Sequence, residues 1–321
     1  MGYIGLHRFV AVTGLTVREA LRQPITLLLV LSCTLVSGLM PLFVAHQLGE
    51  PGRLARDSAL AFHFVFGVLV AGYVGASALA SELHSGTAAT VLSKAVGREA
   101  FFLAKFAGVA VIVLLFSLCA AITTLLSERM APRDFNVDWL VVRCFLAAPV
   151  ASLTAAGLIS FWRRRPFASL ALGLYAASLA VVLLIGALVD EHGQCLPFGA
   201  GLNWRLVPAS ALITLALLLL AAVALGLSTR LRQPPVIATL CVLFLLGLMA
   251  DALPHPPGIR GAALAALRTV VPDLQHFWMA DALGRGAAIP LVYLARTASY
   301  AALYLAGVLC LGVVAFRARE V

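Results

Sequence analysis

Long apolar runs separated by short polar or basic segments make up most of this chain. A bilayer core of about 30 Å takes about 20 apolar residues to cross as a helix. Eight stretches qualify or come close: 25–45, 59–81, 103–126, 139–161, 167–189, 207–227, 235–250 and 297–316. All but 235–250 reach 20 residues, and that shorter run reads as a tilted or re-entrant segment. Only helices satisfy their own backbone groups within hydrocarbon, and no evenly spaced alternation suggests a closed barrel. The pattern therefore predicts an all-α, polytopic membrane helix bundle of about eight spans, with residues 1–321 forming one membrane domain.

Composition sharpens this. Apolar residues are 62% of the 321 and charged residues only 12%, against about a quarter charged in soluble domains. The net charge is +9, but the basic residues are scattered between apolar runs. No basic patch is interleaved with aromatics, so topology accounts for the charge and a nucleic-acid partner is not expected. With the N-terminus placed on the cytoplasmic side, one set of segments carries 13 basic and four acidic residues. The other set carries ten of each. All of the excess then falls on one face, as the positive-inside rule requires, with both termini cytoplasmic. Arginine far outnumbers lysine, and alanine and leucine abound, which points to a GC-rich prokaryotic genome and hence an inner membrane.

Residues 1–24 lack the continuous apolar core of a cleavable signal peptide. At 100° per residue Leu6, Phe9, Val10, Val17, Ala20 and Leu21 share one face, and His7, Arg8, Arg18, Glu19 and Arg22 another. That is an amphipathic helix suited to lying on the inner leaflet, broken by Pro24 before the first span.

Little chemistry is carried inside the spans. Arg143 lies four residues into its run, about 6 Å deep, where its side chain can snorkel outward, and His63 sits near an outer end. Both read as interfacial anchors. Ion-coupled transport needs mid-membrane carboxylates, His or unwound helix pairs. None is evident, so the driving force is expected from outside the bilayer. Small residues at helical spacing, Gly67, Ala71 and Gly75, with Gly72, Ala76 and Ala80 beside them, suit a close helix contact, either internal or between two copies. The six cysteines are dispersed, five of them within apolar runs, and form no CxxC motif. The polar groups Asp190, Glu191, His192, Cys195, His255 and His276 fall in two separate outer loops without ligand spacing, so no metal site is expected.

The segment 82–105 is the longest inner loop. Ser85 or Thr87 can cap a short helix over 87–94 that Gly97 ends, leaving Lys94, Arg98 and Lys105 facing the cytoplasm. The order Glu82, Gly86-Thr87, Leu92-Ser93-Lys94, Val96, Arg98, Phe102, Lys105 resembles the loop after the second span in ABC-2-type permeases. Ala95 stands where that family commonly has proline. Val271-Pro272-Asp273-Leu274, Tyr300, Tyr304 and the terminal Phe316-Arg317-Ala318-Arg319-Glu320 are similar to the family's C-terminal end, and Thr16 with Arg18-Glu19-Ala20-Leu21-Arg22 to its N-terminal helix. These cues cover about a third of the chain. The family usually has six spans, so residues 139–250 would include an added pair.

The resemblance implies the permease subunit of an ATP-driven exporter. Two permeases, identical or not, would pair, each with a separate ATPase subunit that binds ATP and Mg. Residues around 85–98 would sit in the ATPase as a coupling helix, with Glu82, Gly86, Thr87, Leu92, Lys94, Arg98 and Lys105 as its loop. The chain has no GxxxxGK[ST] phosphate loop of its own, so it is not expected to be an enzyme or to hold a cofactor. Residues 251–296 would form an extracytoplasmic segment that dips back into the outer leaflet. Two alternatives are an intramembrane lipid-modifying enzyme and a non-transporting scaffold. The first would need a nucleophile with a base, or paired carboxylates, near an interface, and neither is evident.

Overall fold

The computed structural model describes residues 2–44, 51–84, 97–132, 137–190, 193–249, 271–284 and 288–318. Among them there is no strand beyond one isolated bridge, Val189 to Cys195. The helices are α1 (Gly2–Arg22), α2 (Pro24–Val44), α3 (Pro51–His84), α4 (Arg98–Met130), α5 (Trp139–Arg163), α6 (Phe167–Leu188), α7 (Leu206–Leu227), α8 (Gln233–Leu248), α9 (Ala280–Gly284) and α10 (Leu291–Arg317), with a 3₁₀ turn at Gln275–Phe277.

Seven of these, α2 to α7 and α10, are long and apolar enough to cross a membrane. This is a helical multi-pass chain. The eighth expected span, 235–250, corresponds to α8. Its 16 residues rise about 24 Å, short of a hydrocarbon core of about 30 Å. The helix stops where the returning chain caps it. The amide of Leu274 donates to the Gly247 carbonyl at 3.1 Å, and Gln275 Nε2 to the Leu248 carbonyl at 2.6 Å. Carbonyls that would be orphaned in lipid are thereby satisfied.

Several helices outrun their apolar cores. α3 starts at Pro51 rather than 59, α4 covers Arg98–Met130 rather than 103–126, and α10 starts at Leu291 rather than 297. Hydropathy reports where lipid would lie, whereas a helix continues as long as its hydrogen bonds and caps allow.

The described residues fall into two compact units. One comprises Val17–Gly67 and Leu114–Ser210. Its clearest element is the hairpin of α5 and α6, which pack along each other, with α2 also against α6. Asp138 caps α5 by accepting from the Val141 amide at 3.2 Å. α5 ends with Arg164 in the left-handed region, at φ 50°. Pro166, which has no N–H to donate, then opens α6. The Ser160 hydroxyl donates to the Arg165 carbonyl at 2.7 Å and closes the turn. At the tip, Phe161 and Trp162 are 84% and 83% exposed, and Trp139 is exposed at the far end of α5. The two tryptophans are separated by about 35 Å along the axis. That is the spacing of aromatic belts at the two faces of a bilayer.

The other unit comprises Met1–Thr16, Val68–Val113 and Ala211–Val321. Its core is set by close helix contacts at glycine. A Cβ on Gly75 would lie 2.8 Å from the Ala224 Cβ and 3.1 Å from the Ala221 carbonyl oxygen, so α3 and α7 meet almost backbone to backbone. Gly72 faces Leu240 and Ile237 of α8. Of the small-residue stripe Gly67, Ala71, Gly75, all three are buried, and Gly75 makes an internal contact.

Candidate functional site

Three polar regions lie on this framework. The first is where the loop 82–105 meets the helices. α4 opens with Arg98-Glu99, and the following Phe101 and Phe102 point inward. Phe101 stacks on Phe316 of α10, ring centroids 6.0 Å apart, and Phe102 lies 6.1 Å from the same ring. Arg98 donates to the Arg317 carbonyl at 3.1 Å, and Arg317 pairs with Glu99. The end of α10 is thus fastened to the start of α4. α1 joins at the same place. Thr13 donates to the Ala104 carbonyl at 3.2 Å, and the Thr16 side chain covers Gly108 so closely that a Cβ there would collide with it. On α1 Leu6 and Val10, one turn apart, are both exposed. A helix stands over Gly2–Arg22, within the stretch 1–24 where one was expected.

Lys105 corrects an expectation. Read as facing the cytoplasm, it is instead 0% exposed, its ammonium 5.7 Å from the centre of the Phe101 ring. The reason is spacing: Phe101, Lys105 and Gly108 follow one another at three- and four-residue steps, so the lysine falls on the buried stripe of α4. Arg98 is exposed as expected. Gly86, Thr87, Leu92 and Lys94, together with the short helix over 87–94, lie outside the described residues, as does the side chain of Glu82.

The second region is a buried ionic cluster in the unit holding α5 and α6. Arg129 of α4 donates through Nε to Asp138 at 3.0 Å and through Nη2 to the Val189 carbonyl at 3.1 Å. Arg129 is 9% exposed and Asp138 is 6% exposed. The guanidinium lies over Gly201, where any side chain would collide with it. Asp138 thus both caps α5 and pairs with Arg129. Beside it, Glu128 accepts from Asn203 at 2.9 Å and faces Arg56 at 4.0 Å, while Arg56 and Arg53 reach Asp57 at 3.1 and 3.7 Å. Three guanidiniums meet three carboxylates. A buried charge survives when paired: the charges balance, with Arg53 and Asp57 partly exposed and one Glu128 oxygen left without a hydrogen-bond partner. Sequence reasoning missed this cluster. The one available sign was Asp138 standing just before an apolar run, the mark of an N-cap.

The third region is a polar seam within the same unit. Thr34 and Tyr175 share a hydrogen bond of 2.7 Å, Cys33 Sγ approaches the Phe62 carbonyl at 3.7 Å, and Ser127 donates to the Ser37 carbonyl at 2.9 Å. Thr123 and Thr124 return their hydroxyls to their own helix at 2.9 Å each. His63 was expected at an interface. It is fully buried, with neither ring nitrogen hydrogen-bonded and its ring 5.8 Å from that of Phe116, edge to face. Arg143, by contrast, is exposed as an interfacial anchor would be.

In the ionic cluster Asp57 and Asp138 are engaged by arginine, while Glu128 keeps one oxygen without a hydrogen-bond partner. Among the described residues no three or more His, Cys, Asp or Glu side chains are placed to hold a metal ion. Of the outer polar groups, Glu191, His192 and His255 lie outside the described residues. Asp190 instead closes a turn, accepting from the Gln194 amide at 3.2 Å. His276 pairs with Asp273 at 2.9 Å. Compared with protein-family models, with curated proteins and with solved structures, the chain finds no match in any of the three.

Proposed function

We infer that this chain is the membrane-spanning permease subunit of an ATP-driven exporter of the ABC-2 type. It would pair with a second permease and be driven by a separate ATPase subunit on the cytoplasmic side of an inner membrane. The observation that carries the reading is the junction at the base of α4. An amphipathic helix, α1, is bonded there to the helix that follows the loop 82–105, and the end of α10 is fastened to the same base. A push on that loop would act at once on a surface helix and two spans. The resemblance of the loop to the family's coupling segment supplies the partner. Asp138 paired with Arg129 and Glu128 facing Arg56 lie at helix ends rather than mid-span, so the motor is read as a separate subunit. ATP and Mg would bind the partner subunit, and residues 251–296 would lie on the far side.

The test is capture of the intact chain from its native membrane. An ATPase is expected to co-purify, and charge reversal at Lys94 and Arg98 (K94E with R98E) is expected to release it while the permease stays folded. Engineered thiols at 85–96 should resist membrane-impermeant reagents in intact cells. Labelling of those thiols from outside would overturn the orientation and the mechanism together. Turnover of a lipid by the chain alone would favour the enzyme reading instead.

A further inference from the structure

α7, α8 and α10 enclose an apolar groove of about 570 Å³. Glycine creates it. Gly226 and Gly307 leave space where side chains would stand, and a Cβ on Gly307 would meet nothing within 4 Å. The walls are almost entirely carbon, and the Thr239 hydroxyl is spent on the Pro235 carbonyl of its own helix at 2.8 Å. On α10 the groove runs from Tyr304 to Ala315, about 16 Å by rise per residue, or half of a hydrocarbon core of about 30 Å. Its length therefore matches a single leaflet.

Its lining, apolar along that whole length, suits a hydrocarbon chain. Leu303 of α10 is 77% exposed, and Leu311 of the groove lining 72%.

One end is marked by charge. Three residues past Leu227 comes Arg230, and just before α8 comes Arg232, both exposed. Arg317 lies two residues past Ala315, and Arg98 donates to its carbonyl. The described carboxylate at this end, Glu99, is taken by Arg317. Cations at the end of an apolar slot one leaflet long fit an amphiphile with an anionic head.

We propose that the groove holds one acyl chain of an anionic phospholipid, its phosphate met by Arg230 and Arg232. The site belongs to helices within one unit and does not depend on an ATPase, so it stands or falls apart from the transport reading.

Native mass spectrometry of the full chain, purified in mild detergent and re-equilibrated with phosphatidylglycerol or phosphatidylcholine, tests it. One phosphatidylglycerol per chain is expected to survive delipidation that strips phosphatidylcholine. Gly307→Phe should lower that occupancy at least tenfold, while Leu303→Phe, outside the groove, leaves it unchanged. Arg230→Gln with Arg232→Gln should abolish the preference between the two lipids but not the binding of a chain. A phosphatidylglycerol carrying a photoreactive acyl group should cross-link to the 304–315 peptide of the unmutated chain, a readout that needs no variant to fold. Cross-links confined elsewhere would overturn the site. So would unchanged occupancy in a Gly307→Phe protein that melts like the parent, or a Gly307→Phe protein that loses only a dimer.

Discussion

Replacing Asp138 by alanine removes two things at once. One carboxylate oxygen accepts the Val141 amide and caps α5, and the other accepts from Arg129. Loss of a cap costs about 1 kcal/mol. Leaving one member of a buried pair without its partner costs about 3–5 kcal/mol. Arg129 is held among Asp138, Val189 and Gly201 with its side chain only 7% exposed. The expected loss is therefore about 4–6 kcal/mol for Asp138→Ala. Asparagine caps as well as aspartate, so Asp138→Asn should lose about 3 kcal/mol, from the charge alone. Arg129→Met should lose a similar amount. Combining Arg129→Met with Asp138→Asn leaves no buried charge from the pair and keeps the cap. Only the Val189 carbonyl is then short of a donor, at about 1–2 kcal/mol. The two single substitutions should accordingly couple by more than about 2 kcal/mol. Unfolding in mixed micelles titrated with SDS, followed by the fluorescence of nearby Trp139 and Trp204, measures each corner of the cycle. Equal losses for Asp138→Ala and Asp138→Asn, or a coupling below about 0.5 kcal/mol, would refute the account of this end of the unit.

Two further outcomes follow from packing. Gly75→Ala should destabilise by about 1–3 kcal/mol, because the new methyl meets Ala224 and the α7 backbone. Gly72→Ala should be neutral or gain up to about 1 kcal/mol in helix propensity, because its nearest neighbour is a side-chain methyl of Leu240 at 3.2 Å rather than backbone. Thermal melting in detergent ranks the pair, and the reverse order would disprove the backbone-to-backbone contact. His63→Leu should leave stability unchanged or raise it by about 1–3 kcal/mol, by removing two buried nitrogens that find no partner. A clear loss on the same melting assay would mean those nitrogens hold something.

The helical, membrane-spanning character was legible because apolar run length is a local property, and α5 and α6 begin where the runs begin. The α5–α6 turn was legible too, since Arg163, Arg164, Arg165 and Pro166 announce both polarity and a stop. What the sequence concealed was pairing at a distance. Glu128 and Arg129 sit two and three residues beyond the run that defined the third span, and they read as loop. Only the fold brings Asp138, Val189 and Asn203 to them. The same blindness misplaced Lys105: charge predicts exposure, but the helical phase of α4 aims it at Phe101. The neutral count on one set of segments gains a physical basis here, since three of its arginines and three of its acids pair with one another.

α10 is gripped toward both of its ends. Tyr293 and Tyr300 bind the His276 carbonyl and the Asp273 amide at one extremity, at 2.8 and 3.2 Å, and Phe316 is wedged against Phe101 and Phe102 at the other. Close to the second anchor Gly226 approaches Gly312, a Cβ on the first lying 3.9 Å from the Cα of the second, while the Phe102 ring fills the space a side chain at Gly312 would take. A span fastened toward both ends keeps its registration along its axis.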